Sequence, residues 1–161
     1  MKNKKVLFLT QAAMIAALYV VFTFISNLFG LASGAIQFRL SEAFTILPYF
    51  TVTAIPGLYI GCLLSNILTG CALLDIVFCS FATLLGAIGT RALKRYKWLA
   101  PIPPIIANAA IVPVVLYYAY GVRPIWLNVI TVGIGEIVCC GIIGMFLLQA
   151  LKKYAGRLFT K

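Results

Sequence analysis

The sequence predicts an all-α membrane protein: a compact bundle of six transmembrane helices, with the N and C termini cytoplasmic. Three observations predict it. Mean hydropathy is +1.09, and 63% of residues are hydrophobic against 10% charged, far too little charge to cover a soluble domain. Apolar runs recur along the whole chain between proline and glycine breaks. Lysine and arginine gather behind alternate runs, as membrane topology requires. The 161 residues suit a single integral membrane domain over 1–161, with no room for a second soluble unit.

The first run extends from Val6 to about Phe29 behind Lys2, Lys4 and Lys5. A cleaved secretory signal shares that basic lead, but it has a shorter apolar core and a small-residue cleavage site, so a retained helix is expected. Further runs span about 41–53, 55–72, 74–93, 101–120 and 124–150, punctuated by Pro48, Pro56, Gly70, Pro101, Pro103, Pro104, Gly121 and Pro124. The second run falls short of the ~20 residues that a crossing needs. It and the third, around Pro56, are therefore expected to form a kinked or partly inserted hairpin. No internal repeat is apparent.

Orientation follows from the basic residues. Lys2, Lys4 and Lys5 precede the first run, Arg91, Lys94, Arg95 and Lys97 follow the fourth, and Lys152, Lys153, Arg157 and Lys161 follow the sixth. Placing these inside puts 11 of 13 basic residues in the cytoplasm and leaves Arg39 and Arg123 outside. The net charge of +10 is then a matter of topology beside the lipid bilayer, and no nucleic acid is needed to explain it. Five cysteines stand in a chain without histidine. Cys139 and Cys140 are adjacent and point to different faces of a helix, so small apolar packing roles are expected for the cysteines, with no metal and no cofactor.

Only three acids occur, Glu42, Asp75 and Glu136. A charge at bilayer depth costs several kcal/mol unless it meets a polar cavity or a partner. Glu42 and Asp75 open their segments from the outer side, where a carboxylate also serves as a helix cap, and Arg39 stands three residues before Glu42 as a possible ion-pair partner. Glu136 lies ~18 Å along the last segment at ~1.5 Å per residue, near mid-membrane. Gly133, Gly135, Cys140 and Gly144 leave space beside it for a ligand or a close helix. An outward-opening pocket unites the three acids most simply. Asn66, Asn108, Asn128 and Gln37 supply paired donors and acceptors for a small flat molecule. Phe38, Tyr117, Tyr118, Tyr120 and Trp126 are candidates to stack on it, or to act as interfacial anchors. Ala12 and Ala16, with Ala13 and Ala17, form two four-residue pairs on which another helix can close, which points to docking on a larger machine.

The blocks "FRLSE" at Phe38 to Glu42, "PGLYIGCLLSN" at Pro56 to Asn66 and "DIVFCSFATL" at Asp75 to Leu84 resemble the QueT family of queuosine-precursor transporters. These are substrate-binding S components of energy-coupling factor (ECF) transporters. The resemblance runs over essentially the whole chain. It implies six helices that capture a micronutrient outside, a transmembrane coupling protein, two cytoplasmic ATPases, and a multi-pass place in the cell membrane. The alanine pairs look like the family's docking feature. The loop Gly30 to Arg39 would be the lid, and its glycines and small residues suit a loop that moves. The implied cargo is a 7-deazaguanine such as queuine or its cyano or aminomethyl precursor. Glu42 and Glu136 are the expected acceptors for its two neighbouring N–H donors, an asparagine is the expected donor to its carbonyl, and Asp75 is the expected partner of an ammonium on an aminomethyl group. The rival reading is a stand-alone proton-coupled secondary transporter with Glu136 as proton carrier. An intramembrane enzyme fits poorly, since no nucleophile or metal set stands out.

Overall fold

A computed structural model describes residues 4–31 and 38–155 of the chain; Gln37 and most of the expected lid lie outside them. Among the described residues the backbone is helical with no strand. Helix α1 (Lys4–Leu28) is followed by a 3-10 segment (Leu40–Tyr49) and α2 (Ala54–Leu68). A π turn (Asp75–Cys79) runs directly into α3 (Ser80–Ala92), and α4 (Ile102–Tyr120) comes next. Helix α5 (Ile125–Glu136) then continues through a second π turn (Ile137–Ile143) into α6 (Gly144–Lys152).

These elements make six rods, the number expected, but they are not six equal crossings. Four of them, Lys4–Leu28, Asp75–Ala92, Ile102–Tyr120 and Ile125–Lys152, are long and apolar enough to span a membrane. Helix α2 has 15 residues, or ~22 Å, and the 3-10 segment has 10, or ~20 Å at its steeper rise. Both fall short of a ~30 Å hydrocarbon core. Of the two forms expected around Pro56, a kinked or a partly inserted hairpin, the kink is absent. Pro56 sits in the first turn of α2, where its missing N–H costs nothing, and the reversal is made by residues 50–53.

The 3-10 segment is long for its type, and packing explains it. With three residues per turn its side chains fall into three columns, each facing different rods. Ser41, Phe44 and Leu47 face α1: Thr23 Oγ1 donates to Ser41 Oγ at 2.9 Å, and the Phe22 and Phe44 rings meet edge to face at 4.9 Å. Ala43 and Ile46 face α6, where a Cβ built on Gly144 would lie 3.4 Å from the Ala43 carbonyl. Glu42, Thr45 and Pro48 form the third column, directed to the centre of the bundle and to α3. An α-helix would have splayed these columns apart.

Small residues set the other contacts. A Cβ on Gly57 would lie 2.8 Å from the Ala12 carbonyl, and one on Gly61 would lie 2.8 Å from Tyr19 Cβ and 3.0 Å from the Ala16 carbonyl. The contacts advance together along both helices, so α1 and α2 run side by side in the same direction. Gly86 and Gly89 likewise receive Pro104 and Pro103, which locks the end of α3 to the start of α4.

One end of the bundle collects Thr53, bonded to Gln11, Arg91, bonded to the Pro48 carbonyl at 3.2 Å, and the cluster of Ile46, Ala100 and Leu148. Lys4, Lys5, Arg91, Lys94, Arg95, Lys97, Lys152 and Lys153 therefore share that end. Arg39 and Arg123 are at the other, where Tyr120 meets the start of the fourth rod. The exterior is apolar, with Leu28, Leu73 and Phe146 more than 70% exposed, while all three acids are buried. A membrane protein is arranged in this way, with lipid outside and its costly polar groups facing one another within.

Candidate binding site

Burying Glu42 against α1, α3 and α4 demands donors, and each of those helices supplies one. The Tyr19 hydroxyl of α1 and Thr83 Oγ1 of α3, at 3.4 Å, donate to Glu42 Oε1, and Asn108 Nδ2 of α4 donates to Oε2 at 3.2 Å. Among the described residues the carboxylate takes its hydrogen bonds from these side chains and not from backbone amides, so it does not cap its own segment, while Arg39 shares the lining of the space it faces. The backbone carbonyl of Glu42 receives Thr45 Oγ1 at 2.6 Å and Cys140 Sγ at 3.4 Å.

Cys140 Sγ also donates to Glu136 Oε2 at 3.1 Å. The second π turn, a common feature of functional sites, starts directly after Glu136. One ligand atom each from Glu42, Glu136 and Cys140 lies within 4.8 Å of the others. Together with Arg39, Cys79, Thr83, Asn108, Val112 and Val132, the two glutamates line an inner hollow of about 10 Å³, space for roughly one water. The small face expected beside Glu136 serves packing in part, because Cys140 and Gly144 receive the 3-10 segment.

Asp75 lines a second, outer cleft of about 290 Å³, with Thr23, Asn27, Arg39, Asn66, Thr69, Cys71, Leu116, Tyr120 and Val122. Its carboxylate accepts from the Tyr120 hydroxyl at 2.5 Å and from Cys79 Sγ at 2.9 Å, so it does not cap the helix it begins. Asn66 Nδ2 donates to the Asp75 carbonyl at 3.4 Å. Arg39 lines both spaces and is their common wall. The acids thus divide, Glu42 and Glu136 to the inner hollow and Asp75 to the adjoining cleft.

Of the five aromatic candidates, Tyr120 alone lines either space. Phe38 lines neither space, and Trp126 is 64% exposed, turned away from the bundle as an interfacial anchor is. Tyr118 also faces out, and Asn128 is occupied with the Val122 carbonyl at 2.9 Å. The alanine pairs separate by face: Ala12 and Ala16 are buried against Gly57 and Gly61, whereas Ala13 and Ala17 remain exposed. Tyr19, Thr83, Cys79 and Cys140 were missed as site residues. The cysteines are buried and free as packing residues are, yet Cys79 and Cys140 also serve carboxylates.

A lipid-facing helical bundle whose few ionisable side chains turn inward onto adjoining hollows is a membrane protein built to hold a small polar solute. The chain belongs to the QueT transporter family, whose profile matches residues 9–153, and this is a family of transporters and not of enzymes. It is 33% identical over 98 residues, 60% of its length, to the queuosine precursor transporter QueT of Lactococcus lactis subsp. cremoris strain MG1363. That match spans 57% of the relative. No solved structure matches the chain.

Proposed function

We propose that the chain is the substrate-capturing S component of an ECF transporter in the cell membrane and that its cargo is a 7-deazaguanine. The observation that carries this reading is the convergence of Glu42, Glu136 and the Asn108 amide in one buried place bounded by Arg39. A guanine-like edge presents two neighbouring N–H donors and a carbonyl. One carboxylate accepts both donors, and the Asn108 amide donates to the carbonyl. The inner hollow, with Arg39 in its wall, holds about one water. A ring enters as Arg39 swings aside and joins this space to the outer cleft.

The relative is a queuosine precursor transporter, which agrees with this cargo. Gathering the basic residues at one end supports cytoplasmic termini and a cleft that opens outward. Glu136→Gln is expected to weaken binding of 7-aminomethyl-7-deazaguanine by ~2 kcal/mol, about thirtyfold, through loss of a charged acceptor in a dry pocket. Titration calorimetry of the detergent-purified chain checks it, and unchanged affinity would remove Glu136 from the site.

A transmembrane coupling protein and two ATPases are the proposed partners, with Ala13 and Ala17 as the docking stripe, since Ala12 and Ala16 are already covered. Ala17→Trp should leave ligand affinity unaltered and stop ATP-driven uptake in vesicles that hold the whole assembly. The paired glutamates also suit a proton-coupled carrier. Uptake by the chain alone, driven by a pH gradient without ATPases, would establish that reading instead.

A further inference from the structure

The two adjoining spaces are unbalanced in charge. Glu42, Glu136 and Asp75 line them, and Arg39 is the one basic side chain among the described residues of either lining. Buried anions are costly unless they are paired or neutralised, so a lining with this balance favours a ligand that brings positive charge.

The outer cleft shows where that charge belongs. Asp75 and Asn66, 3% and 2% exposed, face it from adjacent rods. Asn66 spends its amide nitrogen on Cys62 Sγ and the Asp75 carbonyl, so what its side chain can offer the cleft is the acceptor oxygen Oδ1. Thr23, Thr69 and Tyr120 add hydroxyl oxygens to the same lining. A carboxylate, an amide oxygen and hydroxyls around about 290 Å³ are acceptors for an ammonium, with space for a substituent on it. A nitrile has no N–H to offer them.

On the proposed reading of the inner hollow as the base site, we infer that the outer cleft is an ammonium subsite. It selects deazaguanines with a protonated amine on the 7-substituent over the neutral 7-cyano compound. Asp75 is the specificity-determining residue, because it is the carboxylate that faces the outer cleft. Cys79 joins the two sites, lining the inner hollow while its thiol donates to Asp75 at 2.9 Å.

The test is calorimetric titration of the purified full chain with 7-aminomethyl- and 7-cyano-7-deazaguanine at neutral pH, on the unaltered protein and on Asp75→Asn. The unaltered chain is expected to prefer the amine by about thirtyfold, the size of a charge-assisted hydrogen bond, and Asp75→Asn to bring the ratio within about threefold. The ratio in the unaltered chain decides the matter even if the variant does not fold. Equal binding of the two compounds, or tighter binding of the nitrile, overturns the ammonium subsite and leaves the base site standing. A preference that persists in Asp75→Asn overturns the role given to Asp75. Binding of neither compound overturns the base site and this inference together.

Discussion

Glu42→Ala is expected to abolish ligand binding and to destabilise the bundle by about 3 kcal/mol, seen as a lower unfolding temperature in detergent. The side chain is the meeting point of three helices. Its removal leaves the Tyr19 hydroxyl and the Asn108 amide, 1% and 2% exposed, without their acceptor. A buried donor that loses its partner costs ~1–3 kcal/mol. Some of this returns, because Glu136 no longer faces a like charge. Glu42→Gln keeps an oxygen for Tyr19 and fills the same volume, so it should bind as poorly while unfolding closer to the unaltered protein. Equal unfolding temperatures for the Ala variant and the parent would show that the network does not hold these helices together.

Gly61→Val should be at least as damaging to folding, at ~3 kcal/mol or more, with loss of the monodisperse species in size-exclusion chromatography. The Cβ alone would lie 2.8 Å from Tyr19 Cβ and 3.0 Å from the Ala16 carbonyl, and these atoms move only if the helices part. Without lipid between them, α1 and α2 depend on such close approach for their dispersion contact. Separation would also withdraw Tyr19 from Glu42, so the defect reaches the binding site. Gly133→Ala is the control: no atom lies within 4 Å of a Cβ there, and stability should hold. If both variants purify and melt alike, the close α1–α2 contact is wrong.

The rods were legible because lipid imposes a length and an apolarity that appear directly in residue order. The inward turn of Glu42, Asp75 and Glu136 was legible for a related reason, since hydrocarbon offers a carboxylate nowhere else to go. The partners that hold them were not. Tyr19 and Thr83 lie 23 and 41 residues from Glu42, and no period links positions that meet only through helix packing. Cys79 and Cys140 looked apolar because a thiol packs like a small hydrophobe; its weak S–H donor matters only once a carboxylate stands beside it. Trp126 and the alanine pairs show the same limit. Their spacing marked helix faces, but which face was covered depended on where neighbouring rods lay. The 3-10 segment read only as a run too short to cross, for a threefold column is confirmed by what each column touches.

That segment leaves the chain little tolerance for a change in length. Each residue turns the rod by about 120°, so one inserted between Ser41 and Thr45 would send every later side chain to its neighbour's post. Thr45 would leave Cys140, Ile46 would leave Leu148, and Leu47 would leave Tyr19 and Leu58. Three insertions would restore the bearings and overshoot by a full turn. The stretch works like a key cut on three edges, in which the sequence of teeth is no more important than their count.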